Sequence, residues 1–231
     1  MGHNDYTLSI VIPVYNEEKN IVPTIKNIYS AIRNLNLKIE ILIINDGSTD
    51  DTNKKLNILK KNYKEIKIYK NKINRGFGFS FKLGLKLAKK KRFLLLPGDN
   101  PIDVINLRKF IKNFNKFDFT YSFTSKMYKC RGLIRTLTSR IFTLFVNILS
   151  SNNYKYYNGF QIHQTSVLKK IKIYNEHYTF QTELFLKTVK KYKKINSIDI
   201  QTKNRKEGVS KAFKVKNIYE TIRFLINLKN I

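Results

Sequence analysis

Two short β-branched runs, Leu8–Val14 and Ile39–Ile44, dictate most of what this chain can fold into. Each is too short for a typical helix and apolar at successive positions. A strand reads that way when both of its faces are covered. Strands of this kind need helices on both sides and connections long enough to cross over. The chain supplies them. Between positions 17 and 35, Ile21, Ile25, Ile28 and Ile32 recur at helical spacing. Asp50 or Asp51 is placed to cap a helix running to about Asn62. Ile66–Tyr69 reads as a short strand, Phe79–Ala88 as a helix and Arg92–Leu96 as a strand. This alternation predicts the α/β class: a mostly parallel sheet flanked by helices.

After about Phe119 the texture changes. Leu133–Leu149 predicts a long amphipathic helix, Thr179–Tyr192 a helix, Ile195–Thr202 a strand, and Phe213–Leu228 a terminal amphipathic helix. With no repeat or evident linker, the expected organisation is a single unit over 1–231. Its ligand-binding first half covers about 7–120, its acceptor-binding half about 121–211, and its terminal amphipathic helix 212–231.

Lys and Arg number 45 against 16 Asp and Glu, a net charge of +29. That excess calls for an anionic partner: nucleic acid, a phosphorylated substrate or an acidic lipid surface. Most of the basic residues are Lys in an Asn-rich chain, which weakens the charge as a functional signal. The aromatic residues fall in apolar patterns rather than among basic runs, so no nucleic-acid partner is expected. The one cysteine, Cys130, excludes a disulfide framework. His3, His163 and His177 lack metal-ligand spacing. The polar start, Met1–Asp5, is unlike a signal peptide. The longest apolar stretch, Leu133–Leu149, is interrupted by Arg135 and Arg140, so the chain is expected to rest on a membrane rather than cross it.

Open parallel sheets bind ligands at the carboxyl ends of their strands. Pro13, Tyr15, Asn16 and Glu17 follow the first run, Asn45-Asp46-Gly47-Ser48-Thr49-Asp50 the second, and Pro97-Gly98-Asp99-Asn100 the strand ending near Leu96. Singly, such residues serve as caps and turns. Together they predict a cleft. Gly76-Phe77-Gly78 lacks the third glycine of a dinucleotide fingerprint because Phe81 stands there, and no P-loop is present.

Ile10–Glu18 followed by Ile43–Thr52 resembles the opening of the family 2 glycosyltransferases, and Asn74-Arg75-Gly76 with Gly84 resembles the next block. Asn158-Gly159-Phe160-Gln161, Phe180-Gln181-Thr182-Glu183 and Arg205-Lys206-Glu207-Gly208-Val209-Ser210-Lys211 are similar to later marks of the dolichol-phosphate mannose synthase-like subgroup. The resemblance spans roughly 7–211. It implies a GT-A fold, a nucleotide-sugar donor and Mg²⁺ or Mn²⁺. By position, Pro13, Tyr15, Glu17, Asp46, Gly76 and Asp99 would line the donor site. Asp99 would be the metal ligand, although Pro97 stands where the pattern has its first acidic residue and Asn45 replaces a frequent Asp.

The resemblance further implies a polyprenyl phosphate acceptor, an inverting hexose transfer, and a peripheral location on the cytoplasmic face of an anionic membrane. Arg131, Arg135, Gln181, Arg205, Ser210 and Lys211 would hold the acceptor phosphate, with Asp99, Glu183 and Arg205 at the chemistry. An acceptor hydroxyl would instead need a base, and Glu183 is the candidate. A basic nucleic-acid-binding protein and a non-catalytic transferase-like domain are the readings from other classes. The apolar stripe Ile134, Leu137, Ile141, Leu144 or Phe145, and Ile148 either packs on the sheet or meets lipid.

Overall fold

The two β-branched runs lie side by side at the heart of a seven-stranded sheet. The structure, a computed structural model, describes residues 6–112, 114–128, 132–174, 179–203 and 215–230. Strands β1 (Thr7–Val14), β2 (Lys38–Asn45), β3 (Ile66–Lys70) and β4 (Arg92–Leu95) are joined by α1 (Ile21–Ile32), α2 (Thr52–Asn62) and α3 (Phe77–Leu87). Then come α4 (Val104–Ile111), β5 (Phe119–Phe123), α5 (Leu133–Ser150), β6 (Gln161–Gln164), the single turn α6 (Thr165–Leu168), α7 (Phe180–Val189), β7 (Ile195–Asp199) and α8 (Val215–Ile226).

The strand order is β3-β2-β1-β4-β6-β5-β7. The β1–β2, β2–β3, β1–β4 and β5–β7 pairings are parallel, while β6 runs antiparallel between β4 and β5. The expected mostly parallel sheet is therefore present, and the antiparallel strand belongs to the second half.

Alternation along β1 divides the core. Leu8, Ile10, Ile12 and Val14 face α1, α2 and α4, packing on Ile25, Ile28, Leu56, Leu107 and Phe110. Val11 faces the other way, toward Phe81 and Leu85 of α3 and Phe180 and Leu184 of α7. Gly84 lets α3 settle on β1: a Cβ there would lie 2.3 Å from Val11 Cγ1. A third cluster joins Phe119 and Tyr121 of β5 to Val146, Tyr157, Phe185 and Phe224.

The chain moves outward from β1 to β2 and β3, then returns to β4 on the other flank of β1. That reversal is the topological switch point where open α/β sheets place their crevice. The cleft therefore belongs at the carboxyl ends of β1 and β4.

Candidate active site

Consecutive carbonyls of β1 hold the turns on either flank. Pro13 O accepts from Gly98 N at 3.2 Å, and Val14 O accepts from Asp46 N at 2.8 Å. Successive carbonyls of a strand point to opposite neighbours. The Asp46 turn and the Gly98–Asp99 turn thus sit on one sheet edge with β1 between them. Gly98 fits its place narrowly, since a Cβ would come within 2.5 Å of Val14 Cγ1. Its carbonyl accepts from Thr24 Oγ1 of α1 at 2.9 Å. Asn100 (φ 53°) accepts from Asn27 Nδ2, also on α1, at 2.7 Å. Helix α1 thereby fixes the loop that carries Asp99, which is partly exposed.

The turns after β1 and β2 are laced into one wall. Asn16, at φ 56°, donates its N–H to Ser48 Oγ at 3.0 Å and accepts from Thr49 N at 2.9 Å. Glu17 N donates to Thr52 Oγ1 at 2.8 Å, and Glu18 N to Asp50 Oδ2 at 3.2 Å. Sequence reading did not assign Ser48, Thr49 or Thr52 this role; its signal is the affinity of Asn, Ser and Thr for local backbone donors. Tyr15 stands at the tip, 43% exposed. Glu17 is partly exposed and accepts from Asn20 Nδ2 at 2.8 Å. Pro13 is buried, and its carbonyl holds the Gly98 turn.

Asp46 and Gly76, both expected to line the donor site, are bonded to each other. Asp46 is 4% exposed. Its carboxylate accepts from Asn71 Nδ2 at 2.6 Å, Arg75 N at 3.0 Å and Gly76 N at 2.7 Å. Three donors occupy most of a carboxylate's acceptor capacity. Asp46 therefore organises residues 71–76, and the Gly76 N–H points to its carboxylate. Gly47 (φ 74°) admits this segment, because a Cβ would lie 2.7 Å from the Ile73 carbonyl carbon. Gly76 (φ 91°) then opens α3, where the Arg75 guanidinium lies 3.6 Å over the Phe79 ring. Asn45 is fully buried, and its Oδ1 accepts from Ser48 N at 3.0 Å.

Glu183 is 1% exposed on α7. Its Oε1 accepts from Lys187 Nζ and, at 3.0 Å, from Tyr174 N. Glu183, the candidate general base, is thus enclosed and paired with an ammonium. Gln181, partly exposed, lines a small cavity with Phe81, Phe93, His163 and Leu184. The neighbouring Thr182 donates to Asn158 Oδ1 at 2.9 Å. His163 is a core residue, bonded to Gln161 Oε1 at 2.9 Å; burial pushes its imidazole down to about 3.

Arg135 lies in the first turn of α5, partly exposed. Arg131, Arg205, Ser210 and Lys211 lie outside the described residues. Lys203 donates its N–H to Pro101 O at 2.8 Å, two residues beyond Asp99.

Among the described residues no three His, Cys, Asp or Glu side chains gather as a protein metal cage would require. Asp99 is the carboxylate at the β4 tip. One carboxylate fits a hard divalent ion that takes its other ligands from a diphosphate and from water.

The family model described as Glycosyl transferase family 2 matches residues 9–179. The chain belongs to that family. It is therefore a nucleotide-sugar-dependent glycosyltransferase, with the GT-A architecture of the solved structures it superposes on. This glycosyltransferase aligns at TM-score 0.71 with glucosyl-3-phosphoglycerate synthase of Mycobacterium tuberculosis in complex with UDP, at 15% identity over 98% of this chain and 81% of that one. It aligns at TM-score 0.69 with Staphylococcus aureus TarS 1-349 in complex with UDP-GlcNAc, at 18% identity over 95% of this chain and 65% of that one. An uncharacterized protein of Methanocaldococcus jannaschii is 25% identical over 87% of this chain and 90% of its own length. An uncharacterized glycosyltransferase of Rickettsia conorii is 34% identical, but this chain spans only 23% of its length. The dodecaprenyl-phosphate galacturonate synthase of Rhizobium johnstonii is 22% identical over 97% of this chain and 66% of that protein.

Proposed function

We propose that this glycosyltransferase moves a hexose from a nucleotide-sugar to a polyprenyl phosphate, with inversion, at the cytoplasmic face of a membrane. The observation that carries the acceptor class is the enclosure of Glu183 by Lys187 and Tyr174 N. A hydroxyl acceptor needs a reachable base. A phosphate monoester arrives already anionic and needs none. Similarity to a dodecaprenyl-phosphate galacturonate synthase supports the same reading and the dolichol-phosphate mannose synthase-like assignment.

On the donor side, Tyr15 lines the base pocket, Glu17 accepts from ribose hydroxyls, and Asp46 shapes the wall behind them through residues 71–76. Asp99 would hold Mg²⁺ or Mn²⁺, and a bound cation would offset charge on the departing diphosphate. The M. tuberculosis synthase in complex with Mn²⁺, UDP and phosphoglyceric acid supports that choice. A phosphate oxygen of the acceptor attacks the anomeric carbon from the face opposite the diphosphate. The new C–O bond forms as the bond to the diphosphate breaks, and the pair of electrons leaves with the nucleoside diphosphate. Arg131, Arg135, Arg205, Ser210 and Lys211 grip the incoming phosphate, arginine bidentately. Gln181 steadies the α7 end of that pocket.

The test is nucleoside diphosphate release from UDP-, GDP- and dTDP-sugars with Mg²⁺ or Mn²⁺, with a short polyprenyl phosphate or the matching free polyprenol. Release that requires the phosphate is expected. Equal release with the free alcohol would overturn the acceptor assignment.

A further inference from the structure

A run of buried hydrogen bonds passes along β6 toward the sheet edge that carries Asp99. Gln164 N donates to the Tyr192 hydroxyl, and that hydroxyl meets His163 Nδ1 at 3.3 Å. The hydroxyl proton therefore points to Nδ1, which assigns the ring hydrogen to Nε2. His163 Nε2 lies 2.9 Å from Gln161 Oε1, and Gln161 Nε2 donates to Tyr157 O at 2.7 Å. Tyr192, His163 and Gln161 are all buried. Burial keeps the imidazole neutral, as this succession of donors and acceptors requires. The Phe119 ring, centred 4.6 Å from the imidazole, holds it in place.

The run ends where the sheet edge begins. Strand β6 is antiparallel to β4, with Ile162 opposite Leu94, so it starts level with the carboxyl end of β4. Residues 157–160 therefore stand beside Pro97–Asp99. Tyr157 is fully buried, with its hydroxyl on Asn147 Oδ1 of α5. Phe160 N donates to Ser122 Oγ at 2.8 Å. Asn158 lies between these anchors, partly exposed. Its Oδ1 accepts from Thr182 Oγ1 of α7 at 2.9 Å, and Thr182 is fully buried. The oxygen of the Asn158 amide is thus committed to the core. Its N–H₂ is the part of the side chain that a ligand can meet.

We infer that Asn158 donates from this amide to a hydroxyl oxygen of the hexose, and that His163 and Gln161 are positioning residues that aim it. Strand order selects the part of the ligand. The proposed donor site, on which this inference rests, has the nucleoside at the tip of β1 and the diphosphate at Asp99, the tip of β4. Strand β6 comes next in the sheet, about 5 Å further along. The hexose follows the diphosphate in that direction. An uncharged amide donor suits a sugar hydroxyl. A donor held in one orientation discriminates between sugars, because a hexose that offers it no oxygen leaves it unpaired. The buried run supplies that orientation: His163 fixes Gln161, and Gln161 fixes the Tyr157 carbonyl from which Asn158 departs.

The test is calorimetric binding to the full chain, without acceptor, of UDP-, GDP- and dTDP-hexoses. The nucleotide-sugar that the parent binds most tightly is compared with its free nucleoside diphosphate. Asn158→Ala is expected to weaken the nucleotide-sugar about fivefold and to leave the diphosphate within about twofold of the parent. His163→Leu should reproduce this selective loss. His163→Gln, which keeps an N–H where Nε2 stands, should restore most of the affinity. The double variant Asn158→Ala with His163→Leu should lose no more than Asn158→Ala alone, because one residue acts through the other. If His163→Leu does not fold, Tyr192→Phe removes only the hydroxyl at the far end and should give a smaller loss of the same selectivity. Unchanged nucleotide-sugar binding in Asn158→Ala would overturn the sugar contact. Equal weakening of both ligands by His163→Leu or Tyr192→Phe, or additive losses in the double variant, would overturn the positioning role. A parent that binds none of the three diphosphates would sink the donor site itself and this inference with it. With no acceptor present, none of these outcomes bears on the polyprenyl phosphate.

Discussion

Asp46 shows how much one buried carboxylate organises. It joins the end of β2 to the start of α3 through three donors in residues 71–76. Replacing it by Asn keeps the shape, removes the charge and turns an amide N–H₂ toward those donors. Asp46→Asn is expected to cost about 1–3 kcal/mol in urea unfolding and to weaken donor binding in thermal shift. An unchanged midpoint would show that the three contacts contribute nothing net. Glu183→Gln leaves the Lys187 ammonium without its buried counter-charge and is expected to cost about 3 kcal/mol. Among molecules that remain folded, the phosphate-acceptor chemistry predicts turnover within a few-fold of the parent. A fall of about 10²-fold or more would restore the base role. His163 adds a pH dependence of definite sign. Burial holds its folded value near 3, against 6.5 for the free side chain. The unfolded chain therefore takes up the proton first, and stability is lost as pH falls from about 6.5 toward 3. Between pH 7 and pH 5 the loss is about 2 kcal/mol. His163→Gln should flatten that slope in denaturation measured at both values.

At the scale of elements, the parallel half was legible because β1 and β2 are apolar on both faces and α1 buries Ile21, Ile25 and Ile28 at helical spacing. Strands β5 and β6 and helix α4 were not. The β5 run Phe119-Thr120-Tyr121-Ser122-Phe123 alternates bulky and small polar side chains, which resembles a strand wetted on one side. Thr120 and Ser122 are nevertheless buried. Ser122 meets Gly159 so closely that a Cβ on Gly159 would lie 2.0 Å from the Ser122 carbonyl oxygen. Small residues there record a close approach of backbones, a long-range fact that local pattern does not carry. Gly159→Ala is accordingly expected to cost more than the 1–3 kcal/mol typical of overpacking, because the obstacle is backbone; a thermal melt reads it directly. Helix α5 teaches the converse. Its period announced a stripe correctly, yet period alone does not say which face is covered. The covered face includes Thr136 and Thr143, whose hydroxyls turn back to carbonyls four residues earlier, and next to it Asn147 bonds Tyr154 O.

For the whole molecule, the legible part of the site was its placement: the sheet edge, the three turns and the two carboxylates on either flank of β1. What escaped was which carboxylates are spoken for, since that depends on donors such as Asn71 and Lys187 brought in by folding. Asp99 is the carboxylate at the β4 tip, and a single protein carboxylate binds a divalent ion weakly until a diphosphate adds its oxygens. Metal and nucleotide are then thermodynamically linked, each raising the other's affinity by the same factor. Calorimetric titration of Mn²⁺ into the chain alone should show no saturable site below about millimolar, and a site should emerge when the matching nucleoside diphosphate is present. Asp99→Ala should abolish that mutual enhancement while leaving binding of the unphosphorylated nucleoside to the Tyr15 pocket in place, a split that general unfolding would not produce. Tight Mn²⁺ binding to the nucleotide-free chain would mean that the protein builds its own cage, and the donor-borne metal would have to be abandoned.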